Sequence, residues 1–155
     1  MNEDSCIFCR ISQKQVPASR IYENEKVLAF LDIRPLNEGH TLVIPKAHYE
    51  NIFDVPKELN AYIHGGIKQI AIALKKATNA DGITIIQQNG KAANQDVPHL
   101  HVHVIPRYEE QKMPSFSETT EANPEQLNQT AVRIRKYLKA IQTNTRDHQQ
   151  NKFQR

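Results

Sequence analysis

A chain of 155 residues with 39% hydrophobic and 24% charged side chains has the length and apolar content of one globular domain, which excludes a two-domain enzyme and wholesale disorder. No run approaches the ~18 to 20 consecutive apolar residues of a membrane helix, and the start MNEDSCIFCR is polar, so we expect a cytoplasmic protein with no targeting segment and no membrane partner. The net charge of +3 divides into −3 for residues 1–130 (13 basic, 16 acidic) and +6 for residues 131–155 (seven basic, one acidic); a basic end of this kind reads as a solvated terminus, and nucleic acid is not an expected partner.

Residues 5–14 predict a short helix opened by Ser5 or Asp4, with Ile7, Phe8 and Ile11 at helical spacing and Cys6 and Cys9 three apart on it. Two cysteines cannot make the disulfide framework of a secreted domain, and their pairing suits a metal or redox role in a reducing compartment. Val16-Pro17 ends the helix. Residues 20–23, 26–33 and 40–45 are rich in Ile, Val, Leu and Phe and are separated by short polar or Pro/Gly segments, so they predict consecutive antiparallel strands. Leu59, Ile63, Ile67, Ile70, Leu74 and Ala77 recur at three and four, which predicts the main helix over 57–79. Gly65-Gly66 in its middle costs about 1 kcal/mol per residue against alanine. Residues 83–89 and 99–105 predict two more strands, joined by an amide-rich loop over 90–98 that is too long for a tight hairpin. Residues 107–123 read as a polar connection, 124–143 as a second helix with Leu127, Ala131, Ile134 and Leu138 on its apolar face, and the last dozen residues as a frayed tail.

The segment His99-Leu100-His101-Val102-His103-Val104-Ile105 alternates perfectly. In a strand, successive side chains point to opposite faces, so three imidazoles line one face, about 6.6 Å apart, while the aliphatic residues enter the core. Two chemistries could use that face. Three histidines can hold a catalytic zinc, or one neutral imidazole can attack phosphorus while its neighbours donate to the phosphoryl oxygens. Strand geometry alone does not separate them.

This heptapeptide resembles the His-φ-His-φ-His-φ-φ signature of the histidine triad (HIT) superfamily of nucleotide hydrolases and transferases. The resemblance extends in colinear blocks: Cys6-Ile7-Phe8-Cys9, Val16-Pro17-Ala18, residues 28–33 (LAFLDI), residues 39–48 (GHTLVIPKAH) and Asn89-Gly90. It is closest in kind to the bacterial Hit proteins near the Hint branch, which keep the cysteine pair and a C-terminal helix. It implies an α+β fold with a five-stranded antiparallel sheet, a short N-terminal helix, a long central helix and a C-terminal helix. It also implies a HIT domain over 1–110, a C-terminal extension over 111–155 with one helix and a basic tail, and a homodimer joined through the long helix and sheet edges.

For the site, the resemblance places the nucleophile at His101, phosphoryl-oxygen contacts at His103, and orienting roles at His40 and His99. It matches Phe8, Ile11, Val16, Phe30, Leu31 and Ile33 to the walls around a purine base and Asp32 to the acceptor of the ribose hydroxyls. A carboxylate suits that last task because it accepts from both hydroxyls at once. Asn89 and Gln95 match residues near the phosphate and leaving group. Asp96 stands where hydrolases of this group usually have Ser or Thr, so substrate preference is not expected to carry over unchanged. Cys6, Cys9, His48 and His99 match the ligands of a structural zinc, with no catalytic metal required. The implied activity is hydrolysis at the α-phosphate of purine nucleoside 5'-phosphoramidates through a nucleotidyl-histidine intermediate; diadenosine polyphosphate hydrolysis, or nucleotide binding with vestigial catalysis, are the alternatives.

Overall fold

The computed structural model describes residues 5–112 and 115–153, with side chains as far as 143. Its elements are α1 (Ile7–Ser12), β1 (Arg20–Glu23), β2 (Val27–Leu31), β3 (Thr41–Pro45), α2 (Lys57–Thr78), β4 (Gly82–Gln87), β5 (Val102–Arg107) and α3 (Pro124–Phe153). The strands form one sheet in the order β1-β2-β3-β5-β4, antiparallel at every pairing. This is the expected α+β architecture. Asp4, one of the two expected starts of α1, lies outside the described residues, as do residues 154 and 155 of the tail.

β2 and β3 are buried at every position because helices cover both faces of the sheet. On one face Leu28, Phe30, Leu42 and Ile44 pack against Phe8, Ile11 and both cysteines of the α1 region. On the other, Val27, Ala29, Leu31, Val43, Val102 and Val104 pack against Ile63, Ile67, Ile70 and Leu74 of α2 and Ala131, Ile134 and Leu138 of α3. The period of two in each strand therefore sorts its side chains between two cores. α2 runs unbroken through Gly65-Gly66 and stops at Asn79, whose left-handed backbone (φ 53°, ψ 35°) caps it. No helix among the described residues is long and apolar enough to cross a membrane.

Two expectations are corrected. The ladder of the histidine strand begins at Val102 rather than at residue 99. Its pairing with β3 stops at Val43↔Val102, since β3 runs out at Pro45, which has no N–H to donate. The His99 carbonyl instead accepts from the His101 ring. The C-terminal helix continues ten residues past 143 to Phe153. The apolar periodicity stops at Ile141, but no glycine or proline follows to end the helix.

Candidate active site

α1 presents Cys6 and Cys9 on the sheet face that also carries Leu28, Phe30, Leu42 and Ile44. His48 follows β3, and His99 precedes β5. The structure brings these four together. The His99 Nε2–H donates to the Pro45 carbonyl at 2.9 Å, which leaves Nδ1 as a lone-pair nitrogen 3.4 Å from Cys6 Sγ and 3.5 Å from Cys9 Sγ. His48 Nδ1 lies 3.3 Å from Cys9 Sγ, and the four donor atoms fall within 4.8 Å of one another. A tetrahedral zinc with bonds of about 2.0 to 2.3 Å spaces its ligands roughly 3.3 to 3.8 Å apart, so the donor set fits the ion in both chemistry and spacing. Burial holds His99 down at about 4, and a neutral ring is what a metal requires. Neither cysteine is in a disulfide.

A second group of rings forms a directed chain. The Leu36 N–H donates to His40 Nδ1 at 3.1 Å, so the neutral His40 ring carries its proton on Nε2. That nitrogen lies 2.9 Å from His103 Nδ1, which must accept, and the His103 proton is thereby placed on Nε2. His103 Nε2 is buried with no partner among the described residues. Burial, with the neighbouring His103, pulls His40 down to about 3; burial, with the neighbouring His101, pulls His103 down to about 4. Both rings are therefore neutral at pH 7 and the direction of the chain is fixed. Asp32 lies alongside, its Oδ2 3.7 Å from His40 Nε2 and its Oδ1 accepting from the Arg34 N–H at 2.8 Å. Burial pushes its carboxyl up, and Asp96 adds to the effect.

His101 lies between the two groups. Its Nδ1–H donates to the His99 carbonyl at 2.7 Å, which leaves Nε2 as the reactive nitrogen. Its ring is packed edge-on against Phe8 at 5.2 Å and His103 at 5.0 Å between centroids. Asp96 Oδ1 lies 3.3 Å from Nε2, where it accepts when that nitrogen carries a proton and must give way when the nitrogen attacks. The hydrogen bond to His101 holds Asp96 down at about 2. The three triad rings do not converge on one point: His99 faces the thiols and His103 faces His40, an arrangement that does not suit a three-histidine zinc.

Two cavities meet at Asp96 and His103. One, of about 310 Å³, is lined by Phe8, Ile11, Val16, Phe30, Leu31, Asp32, Ile33 and His101, every one a residue singled out from the sequence, with Pro17, Ala18, Arg34 and Leu42 in addition. Its other neighbour, of about 520 Å³, has Gln88, Asn94 and Ser115–Ser117 in its walls. Asn89 and Gln95 line neither cavity. Asn89 Oδ1 accepts from the Ile52 N–H and from Gln87 Nε2. Gln95 accepts from the Gly90 N–H at 2.6 Å and donates to the Glu50 and Val97 carbonyls. Both hold the loop that carries Asp96. Sequence reasoning missed Phe116, whose ring stands edge-on to His103 at 5.0 Å and to His40 at 6.1 Å. Its one signal was being the sole aromatic in the polar run 109–123.

Comparisons with known proteins agree with this geometry. A family profile described as the HIT domain matches residues 13–110. The chain is 49% identical over 104 residues to a HIT-like protein of Methanocaldococcus jannaschii, covering 67% of this chain and 80% of the relative. It is 41% identical over 106 residues to the adenosine 5'-monophosphoramidase of Saccharomyces cerevisiae, covering 68% of this chain and 65% of the enzyme. Among solved structures, a zinc-bound histidine triad family protein from Mycobacterium smegmatis superposes with a TM-score of 0.82 at 38% identity, covering 92% of this chain and 99% of that one.

Proposed function

The chain belongs to the HIT domain family, and from that premise we propose that it hydrolyses purine nucleoside 5'-phosphoramidates, or closely related nucleotide conjugates, at the α-phosphate. What carries the reading is the proton arrangement around His101: Nδ1 is tied to the His99 carbonyl, Nε2 faces the cavity, and the His103 ring, whose Nε2–H has no partner among the described residues, lies beside it. That is a nucleophile next to a hydrogen-bond donor with nothing yet to donate to.

In this reading the base enters between Phe8, Ile11, Val16, Phe30, Leu31 and Ile33, and Asp32 accepts from the ribose hydroxyls. His103 Nε2–H donates to a non-bridging phosphoryl oxygen, and the donation strengthens as charge builds on that oxygen. Asp96, with 75% of its side chain exposed, swings clear of His101 Nε2. The nitrogen forms a bond to phosphorus as the bond from phosphorus to the leaving group breaks, and the departing amine takes up a proton from solvent, which the attacking water gives back in the second step. Water then attacks the nucleotidyl-imidazole, releasing the nucleoside monophosphate and regenerating His101. His40 is a positioning residue, which fixes the tautomer of His103. We assign Asn89 and Gln95 the same kind of role, acting through the Asp96 loop.

Zinc on Cys6, Cys9, His48 and His99 would tie α1 to the segment before β5 and fix the His99 carbonyl that orients His101. We assign it a structural role, which together with the cysteine pair suits a reducing compartment such as the cytoplasm. We treat residues 111–155 as an extension of the HIT domain that shares its core through α3. A homodimer is supported by the open β4 edge of the sheet, where Ile85 is 50% exposed, and by exposed Tyr62 and Ile72 on α2.

The test is a rapid-quench experiment with an adenosine 5'-phosphoramidate labelled in the nucleotide. An acid-labile adduct that disappears in His101→Asn supports the reading. A protein that binds AMP yet never acquires the label is a binding module with vestigial catalysis.

A further inference from the structure

Deepening that reading, on which it rests, we propose that Ser115, Phe116 and Ser117, together with Asp96, form the specificity-determining wall of a leaving-group subsite that admits neutral or cationic leaving groups with a flat hydrocarbon part and rejects anionic ones. The position of the subsite follows from the two cavities. Asp96 and His103 belong to both, and His101 stands where they meet, so a nucleotide seated in the smaller one directs the group on its α-phosphate into the larger. At about 520 Å³ the larger cavity lies within the range of ordinary ligand sites and leaves ammonia far too small to fill it.

The wall is built from residues 115–117, and described residues before and after them in sequence are tied to the loop after β2. Gln111 and Asn37 exchange amide hydrogen bonds at 2.9 Å. Beyond Ser117, the Arg34 guanidinium donates to the Thr119 carbonyl at 3.0 Å, and the Ala122 N–H donates to the Ile33 carbonyl at 2.8 Å. Residues 115–117 are thus held over His103 by the same loop that carries Asp32. Ser115 and Ser117 bond to each other at 2.7 Å, and Phe116 is 39% exposed while packed edge-on to His103, which leaves part of its ring available to a ligand.

Charge sets the selectivity. Among the described residues lining the cavity, Asp96 alone carries a formal charge; the others offer hydroxyl, amide, phenyl and neutral imidazole groups. No lysine or arginine among the described residues lines it. A polyphosphate or sulfate leaving group would bring negative charge toward the Asp96 carboxylate with no cation to offset it, whereas an organic amine meets the carboxylate favourably as it takes up its proton.

The experiment compares kcat/KM for three AMP conjugates on the full chain: the unsubstituted phosphoramidate, the N-benzyl phosphoramidate and diadenosine tetraphosphate. Wild type should favour the benzyl amide. Phe116→Ala should lower the ratio of benzyl to unsubstituted amide by about tenfold, and Ser117→Arg should raise the ratio of diadenosine tetraphosphate to benzyl amide by about tenfold. Ser117 is exposed, so the arginine variant folds even where the phenylalanine truncation does not. A wild type that prefers diadenosine tetraphosphate, or ratios that stay within twofold in folded variants, overturns the inference while leaving hydrolysis intact. A wild type that turns over none of the three sinks the hydrolase reading and this inference with it.

Discussion

His99 and His103 are two residues either side of His101, both buried and both neutral at pH 7, yet they end in opposite situations. Both His99 nitrogens are used, one by the Pro45 carbonyl and one by the thiols. Only one nitrogen of His103 is used, by His40, and the other is buried with no partner among the described residues. A saturated buried imidazole holds structure, because leaving any of its partners unmatched would cost the desolvation of that group. An unsaturated one, left with a buried donor unmatched, carries that cost until a ligand arrives. The same residue type four positions apart is thus a brace at one end and, in the proposed reaction, a binding group at the other, with His101 oriented by the first and assisted by the second.

The strongest way to separate the two ends is to remove what lies between them. His101→Ala should lower single-turnover hydrolysis by at least about 10³-fold with the thermal midpoint and zinc content near those of wild type; retained turnover would place the chemistry elsewhere. At the His99 end, Cys9→Ser should act the other way round. If zinc stabilises by about 4 kcal/mol, as a ligand at a thousand times its dissociation constant does, its loss lowers the midpoint by roughly 10 °C. Differential scanning fluorimetry with metal analysis checks this. Full thermal stability in metal-free Cys9→Ser protein would mean that the cluster holds no structural ion.

These contrasts also mark how far the amino-acid sequence could be read. The alternation in 99–105 correctly separated histidines from aliphatics, since a period of two survives local irregularity: Leu100, Val102 and Val104 do enter the core. The end of the ladder was not legible, because it depends on Pro45 and on where the His99 carbonyl goes, both matters of the neighbouring strand. The cysteine pair suggested a metal, but His48 and His99 are 39 and 90 residues from Cys9, a separation that no local pattern joins. Residues 111–112 and 115–122 read as part of a polar connection because most of what holds them is side-chain amide, guanidinium and backbone bonding across the fold, which leaves no periodic trace.

The His40–His103 pair gives a pH signature of the same sign as that of buried His99, and a His40 variant separates the two. Both rings have folded values depressed below the ordinary 6.5, to about 3 and about 4, so between those values and 6.5 the unfolded chain binds more protons than the folded one. The stability they permit is fully present above about 6.5 and declines as pH falls toward 4, by about 1.4 kcal/mol per ring for each pH unit. Urea midpoints measured from pH 7 to pH 5 should show this fall, and His40→Gln should make it shallower. An unchanged slope in that variant would mean that His40 is not held neutral as described.

The smallest expected effect tests whether the relay can be disturbed from behind without touching the cluster. Gly39 immediately precedes His40 and has φ +85°; a β-carbon there would stand 3.0 Å from Thr78 Cγ2 and 3.3 Å from both Leu74 Cδ2 and Pro106 Cγ. Gly39→Ala therefore combines an unfavourable backbone conformation with a crowded contact against the end of α2 and should cost about 2 kcal/mol. The strain falls on the turn that carries the Leu36 N–H to His40 Nδ1, so kcat should fall along with stability while zinc content holds, since no ligand of the cluster lies in that turn. A variant that loses metal in proportion to its loss of activity would show that the two ends of the histidine segment respond as one unit, and that the brace and the binding group are not separable.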